Sequence, residues 1–283
     1  MNLIRYMSFT RGIESLRSGL FKVLRPLDAN DPYEMMGACR GNLREEVITQ
    51  MLSDMRGKWE SGKLNGSQYL QYPKWEDVER RVCDHKAYFR KVIMERQTQQ
   101  CLGRIISFVD ASKVNEITDQ LMWAHYGEGG SGVRIWFDEA RLITGYSQIF
   151  PVKYSIQRPC IDLGSLKTYE INEGWTTFLF DVVLTKSMAW KYECEMRMVI
   201  SSRAGKDIIT EKDDREYISI PPKAIIRVDF GPKGKIADTV SVVKELRQSR
   251  DFAHVDFRVA TFDEFGYQYQ YPKYDDLNAR EGS

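Results

Sequence analysis

The chain has 283 residues, 42% of them hydrophobic and 29% charged, enough for one large domain or a core with an insertion and too mixed for a collagen-like, coiled-coil or disordered class. Its 41 lysines and arginines against 40 aspartates and glutamates leave a net charge of +1, which excludes a broad field for non-specific nucleic-acid or membrane binding. The longest apolar runs, such as Phe178–Phe180 and Val182–Leu184, fall far short of the roughly 18 residues that cross a bilayer.

In chain order, Leu3–Phe9 reads as a strand, Gly12–Ser18 as a helical turn stopped by Gly19, and Leu20–Leu24 as a second strand. The run Leu27 to Glu34 is turn chemistry, with a helix expected to begin near Pro32. Arg44–Arg56 and Trp75–Cys101 carry apolar residues at helical spacing on either side of a polar linker at 61–67, which predicts a helical insertion over about 44–101. Strands are expected at Arg104–Val109, Val133–Phe137, Ile149–Tyr154, Met188–Ser201, Tyr217–Ile220, Ile225–Phe230 and Val255–Ala260. Helical patterns lie at Asn115–Tyr126, Asn172–Thr185 and Ala237–Arg250, the last with Val240, Val243 and Leu246 on one stripe. The expectation is an α+β fold: a mixed, mainly antiparallel sheet, split or bent, with flanking helices and the helical insertion. It forms a single domain over 1–265, with a loosely held tail over 266–283.

Three segments could carry chemistry. In Trp190–Ile200, strand alternation would put Glu193, Glu195 and Arg197 on one face, two carboxylates about 7 Å apart. Such acids repel unless a ligand, a metal or the arginine organises them, and the plain reading is a solvated strand face. Met122–Val133 combines Trp123, His125 and Tyr126 with a glycine loop whose N–H groups could take a phosphate, or which simply ends a helix. Arg5 and Tyr6 on the first strand, with Asn30 and Asp31 in the following turn, could hold a phosphate or carboxylate or form a surface pair. The cysteines Cys39, Cys83, Cys101, Cys160 and Cys194 are scattered, no pair of histidines has ligand spacing, and no dedicated metal site is expected. Nothing in Met1–Met7 reads as a signal peptide, so a cytoplasmic protein is expected.

Taken in order, the Arg5-Tyr6 strand, the Asn30-Asp31-Pro32-x-Glu34 turn, Ser107-Phe108, Met122-Trp123-x-His125-Tyr126, Val152-x-Tyr154 and Lys186-x-x-x-Trp190-x-x-Glu193-x-Glu195-x-Arg197 resemble the bacterial and phage "domain of unknown function" family twenty-nine seventy-one, over roughly residues 3–232. The chain departs from many members before Gly132, where it has Gly130 and Ser131 instead of a histidine. A weaker resemblance is to ADP-ribosyltransferases, which bind NAD between two small sheets. That resemblance implies Arg5 on a phosphate or ribose and Ser107 or Tyr126 beside the nicotinamide ribose. It puts Glu195 and Glu193 on the ribose, and Tyr6, Trp123 and Tyr126 stacking on nicotinamide or adenine. His125, Asn30, Asp31 and Arg197 complete the expected site, with NAD as substrate and a macromolecule, protein or nucleic acid, as target of a toxin or phage-defence effector. Two other classes stand beside it: a metal-dependent nuclease or phosphodiesterase with Asp31, Glu34, Glu193 and Glu195 on magnesium, and a non-enzymatic binding module.

Overall fold

The computed structural model describes residues 1–25, 31, 33–62, 74–84, 86–87, 89–91, 103–142, 147–168, 173–200 and 208–276. Its strands are β1 (Asn2–Met7), β2 (Leu20–Lys22), β3 (Ala38–Arg40), β4 (Arg104–Asp110), β5 (Val133–Asp138), β6 (Ser147–Pro151), β7 (Lys153–Ser155), β8 (Cys160–Asp162), β9 (Thr185–Ser187), β10 (Glu195–Ile200), β11 (Ile209–Lys212), β12 (Arg215–Ser219), β13 (Ile225–Phe230), β14 (Asp256–Val259), β15 (Thr261–Phe262) and β16 (Tyr269–Gln270). The chain divides into two compact units, the first made of Met1–Arg25, Gly103–Tyr154 and Met188–Ser283, the second of Pro26–Leu102 and Ser155–Ser187.

The first unit is built on a seven-stranded sheet in the order β14-β13-β5-β1-β4-β10-β6, antiparallel except for β13 with β14. Strand alternation sends Leu3 and Met7 to one face and Ile4 and Tyr6 to the other. On the first face Leu3, Phe108, Phe137, Met196 and Met198 pack under Ile13 and Leu16 of the helix Phe9–Ser18 and under Val242, Val243 and Leu246 of the helix Ile236–Gln248. On the second face Ile4, Tyr6 and Val109 meet Met122 and Trp123 of the helix Glu116–His125. Burying each such side chain contributes roughly 1.5–3 kcal/mol, so the apolar alternation in these strands is what fixes their register. The architecture is α+β, with a mostly antiparallel mixed sheet flanked by helices.

Between β1 and β4 the pairing is short. Only Leu3↔Asp110 and Ile4↔Val109 are joined, and farther along β4 it is Leu24 that bridges to Ile105. The sheet therefore parts between Arg5-Tyr6 on β1 and Ser107-Phe108 on β4.

The second unit holds the helices Glu45–Glu60, Trp75–Cys83 and Glu173–Val183 and the parallel pair β3 and β8. Val47, Met51 and Met55 recur at i, i+4 and i+8 on the buried side of the first of these, the spacing the sequence displays. Lys186 and Glu34, both buried, form an ion pair at 3.7 Å.

Three local expectations change. Met188–Glu193 is a 3-10 turn and the strand begins only at Glu195, because Cys194 takes a left-handed backbone at φ 47° and breaks the extended run. Pro32 and Asn30 lie outside the described residues; Tyr33–Met35 form a turn, and β3 follows it instead of a helix. In the described part of the tail, Tyr269–Gln270 pairs with Thr261–Phe262, Tyr274 is buried, and Arg247 holds Asp275 through two bonds of 2.7 and 2.8 Å.

Candidate active site around Glu193

The helix Glu116–His125 is set by Asn115, whose side chain accepts from the Thr118 amide at 2.9 Å, with Glu116 and Asp119 in the positive first turn. Its last residues deliver His125 and Tyr126. Tyr126 donates its hydroxyl to Glu193 Oε1, and burial, followed by that bond and the nearby acid, pushes the phenol well above its ordinary pKa. Glu193 reaches this position at the end of the 3-10 turn, so the left-handed Cys194 brings it beside Tyr126, not strand alternation. A non-glycine residue in that region costs of order 1–3 kcal/mol and persists only where the surroundings hold it.

Glu195 is organised differently. Arg197 donates to it twice, from Nε to Oε1 at 2.8 Å and from Nη2 to Oε2 at 3.1 Å, and the Glu195 amide donates to the Tyr154 hydroxyl at 2.7 Å. Glu193, Glu195 and Arg197 are 3%, 5% and 0% exposed. The solvated strand face expected from the sequence is thus a buried one, in which Arg197 holds Glu195 and Tyr126 donates to Glu193. His125 is exposed and Tyr192 and Trp190 partly so; their rings lie near one another, His125 to Tyr192 at 5.9 Å and Trp190 to Tyr192 at 6.1 Å.

The other expected residues separate from this group. Tyr6 and Trp123 are core, packed edge to face at 5.3 Å, with Tyr6 bonded to Asp119 and Trp123 Nε1 to the Tyr271 hydroxyl. Ser107 is partly exposed on β4, opposite Arg197. Arg5 pairs with Ile135, whereas Tyr6 pairs with Arg134, and cross-strand partners share a face. Arg5 therefore lies on the sheet face opposite Tyr6, Ser107, Glu195 and Arg197. Asp31 accepts from the Tyr33 amide at 2.9 Å and shapes its turn in the second unit. Asn30 lies outside the described residues.

The glycine loop is structural. Gly127, Gly130, Ser131 and Gly132 bond their N–H groups to Met122, Trp123, Gly127 and Glu128 carbonyls instead of presenting them to a ligand. A Cβ at Gly132 would overlap the Met7 carbonyl and lie 2.8 Å from that of Gly127. Glu128 carries the loop's other duty, accepting from the Phe9 amide at 2.9 Å at the start of the first helix.

One cluster escaped the sequence reading. Arg134, 3% exposed, donates to Asp119 at 2.6 Å and to Asp229 at 2.8 Å, beneath the Tyr271 ring at 3.9 Å. Asp229 also accepts from Trp136 and Arg227, both at 2.6 Å, and Asp119 from Tyr6 and Tyr271. The available signal was a charge inside an apolar strand, Arg134 in Val133–Phe137 and Asp229 in Ile225–Phe230. This network ties the helix that carries Tyr126 to the centre of the sheet. Among the described residues no group of three or more His, Cys, Asp or Glu side chains is placed to hold a metal ion, and no helix is long and apolar enough to cross a membrane.

Glu193, its Tyr126 donor and the Glu195–Arg197 pair all fall inside one stretch that is recognisable in other proteins. Residues 122–198 match the model of DUF2971, a family described as protein of unknown function. The DUF2971 match is narrower than the resemblance drawn from the motifs, and Arg5, Tyr6, Asp31 and Ser107 lie outside it. No curated protein and no solved structure matches the chain.

Proposed function

We propose that the protein is an ADP-ribosyltransferase-like enzyme that uses NAD and modifies a macromolecule, with Glu193 as the acting carboxylate. The observation that carries this reading is that two buried acids are each held by a donor: Glu193 by the Tyr126 hydroxyl, Glu195 by the Arg197 guanidinium. Breaking the nicotinamide–ribose bond develops positive charge on the ribose, and a carboxylate fixed in a low-dielectric site favours that state by a few kcal/mol. Glu193 is assigned this role because it meets the Tyr126 hydroxyl, beside the His125 and Tyr192 rings. Tyr126 orients Glu193. His125, Tyr192 and Trp190 offer ring surface next to it, suited to a flat aromatic base. Trp123 and Tyr6, being core, take no part. A cytoplasmic toxin or phage-defence effector is the setting carried over from the bacterial and phage family that the sequence resembles.

The test is release of nicotinamide from NAD, followed by chromatography, with and without EDTA. Wild-type protein is expected to release it without a divalent metal. Glu193→Gln, which keeps an acceptor for Tyr126, is expected to lose about 10²-fold or more. Equal rates in the two proteins, or no release with any acceptor tried, would overturn the assignment. EDTA-sensitive cleavage of a phosphodiester would replace it with the nuclease.

A further inference from the structure

Arg5 differs from other buried and half-buried arginines of the sheet. Arg134, Arg197 and Arg227 each donate to a carboxylate. The Arg5 guanidinium has, among the described residues, one bond, from Nη2 to the Lys22 carbonyl at 3.2 Å, and its Nη1 is buried without an acceptor. Burial pulls its pKa down to about 10, so it remains charged at neutral pH. A guanidinium carries five N–H donors in a fixed fork, and a buried charge left this poorly met destabilises a fold unless something else meets it. The residue as a whole keeps a partly exposed surface.

Its position explains what could meet it. Continuing the β1–β4 register would put Arg5 opposite Phe108 and Tyr6 opposite Ser107, but pairing stops at Ile4↔Val109. Ile105 bonds Leu24 through both its N–H and its C=O. By alternation, the Ser107 N–H turns to the same edge of β4, where the sheet has parted. The seam thus joins a cation lacking a carboxylate to a backbone donor that no strand covers.

We propose that this seam between β1 and β4 binds a phosphate-class oxyanion, free or carried on an organic ligand, with the Arg5 guanidinium as its main donor. The fork of an arginine matches two oxygens of such a group. The proposal is independent of the transferase reading, because Arg5 lies on the face opposite the Glu195–Arg197 pair.

The experiment is thermal unfolding of wild type, Arg5→Met and Arg5→Lys in phosphate-free buffer at constant ionic strength. Inorganic phosphate, ADP and adenosine are each titrated against sodium chloride controls. Wild type is expected to gain several degrees with phosphate or ADP and nothing with adenosine or chloride. Arg5→Met should melt above wild type without ligand, since the unmet charge is gone, and should not respond to either anion. A response to phosphate identifies a free anion, and a response to ADP alone identifies an organic carrier. No anion response in wild type, or an equal response in Arg5→Met, would overturn the site. Should Arg5→Met fail to fold, calorimetric titration decides: phosphate or ADP must bind Arg5→Lys several-fold more weakly than wild type, and equal affinity rejects the proposal.

Discussion

Replacing Asp229 by asparagine tests whether the Arg134 network is the anchor of the fold. Asp229 is fully buried and its two oxygens accept three bonds, Oδ2 from Arg134 Nε at 2.8 Å and Trp136 Nε1 at 2.6 Å, and Oδ1 from Arg227 Nε at 2.6 Å. An asparagine has the same shape, so no cavity forms. It has one acceptor oxygen, and whichever way it turns, its NH₂ faces a donor. Removing one partner of a buried ion pair costs about 3–5 kcal/mol. Arg134 retains Asp119 at 2.6 Å, which places the expected loss in the lower half of that range, about 3–4 kcal/mol. At about 2–4 °C per kcal/mol for a protein somewhat smaller than this one, the melting temperature should fall by about 6–16 °C. Urea unfolding of both proteins measures the difference directly, provided the slope is unchanged. Below the melting temperature, nicotinamide release should be largely retained, since the network supports Tyr126 from a distance. A loss under about 1 kcal/mol would refute the view that these charges are dry and mutually dependent.

Three other outcomes follow from single features. Gly132→Ala should destabilise by about 2 kcal/mol or more in denaturant titrations, because its Cβ has only the Met7 and Gly127 backbones to push against; an unaffected variant would mean that the loop can shift. Cys194→Gly should be neutral or stabilising by up to about 1 kcal/mol despite the extra chain entropy, since φ 47° suits glycine; a clear loss in the same assay would place the cysteine's value in its side chain. Burial pushes the Asp110 carboxyl up, but bonds from Ser112 and Lys113 outweigh it and hold the group below its usual range. A lowered folded-state pKa gives stability that is present above the unfolded value near 4 and lost as pH falls through the folded one. Asp110→Asn should therefore flatten the acid side of the stability profile below about pH 4, and an unchanged profile would assign acid sensitivity elsewhere.

Much of the sheet is legible because burial on one face writes a period of two into β1, β5, β10 and β13, and the helix Ile236–Gln248 carries its stripe openly. The Glu193–Glu195–Arg197 set is legible as a set of residue types but not as a geometry. No local pattern announces a left-handed cysteine, and the expected strand therefore ran through Met188–Glu193 when it starts only at Glu195. Burial of Glu195 likewise depends on what covers the strand, which the alternation of charges cannot express. The opposite faces of Arg5 and Tyr6 follow from adjacency on a strand, yet a family arrangement read as a linear order of motifs conceals it. Long-range pairs such as Arg134 with Asp229 leave only the trace of a charge in an apolar run.

The interleaving of the two units also governs how the chain can fold. β1 lies at the centre of its sheet, but its partners are β4 and β5, and Tyr6 finds Asp119 across 113 residues of sequence. Tyr271 closes on the same Asp119 across 152. Contacts of such separation lose chain entropy before they gain enthalpy, which puts the first unit among slow folders of high contact order. During synthesis β1 must wait with its apolar side chains unpaired until β4 and β5 have emerged, and the Arg134 cluster stays incomplete until the tail arrives. Truncation ahead of Tyr271 would then leave Asp119 and Arg134 without their covering ring, in a nascent chain prone to association and dependent on chaperones.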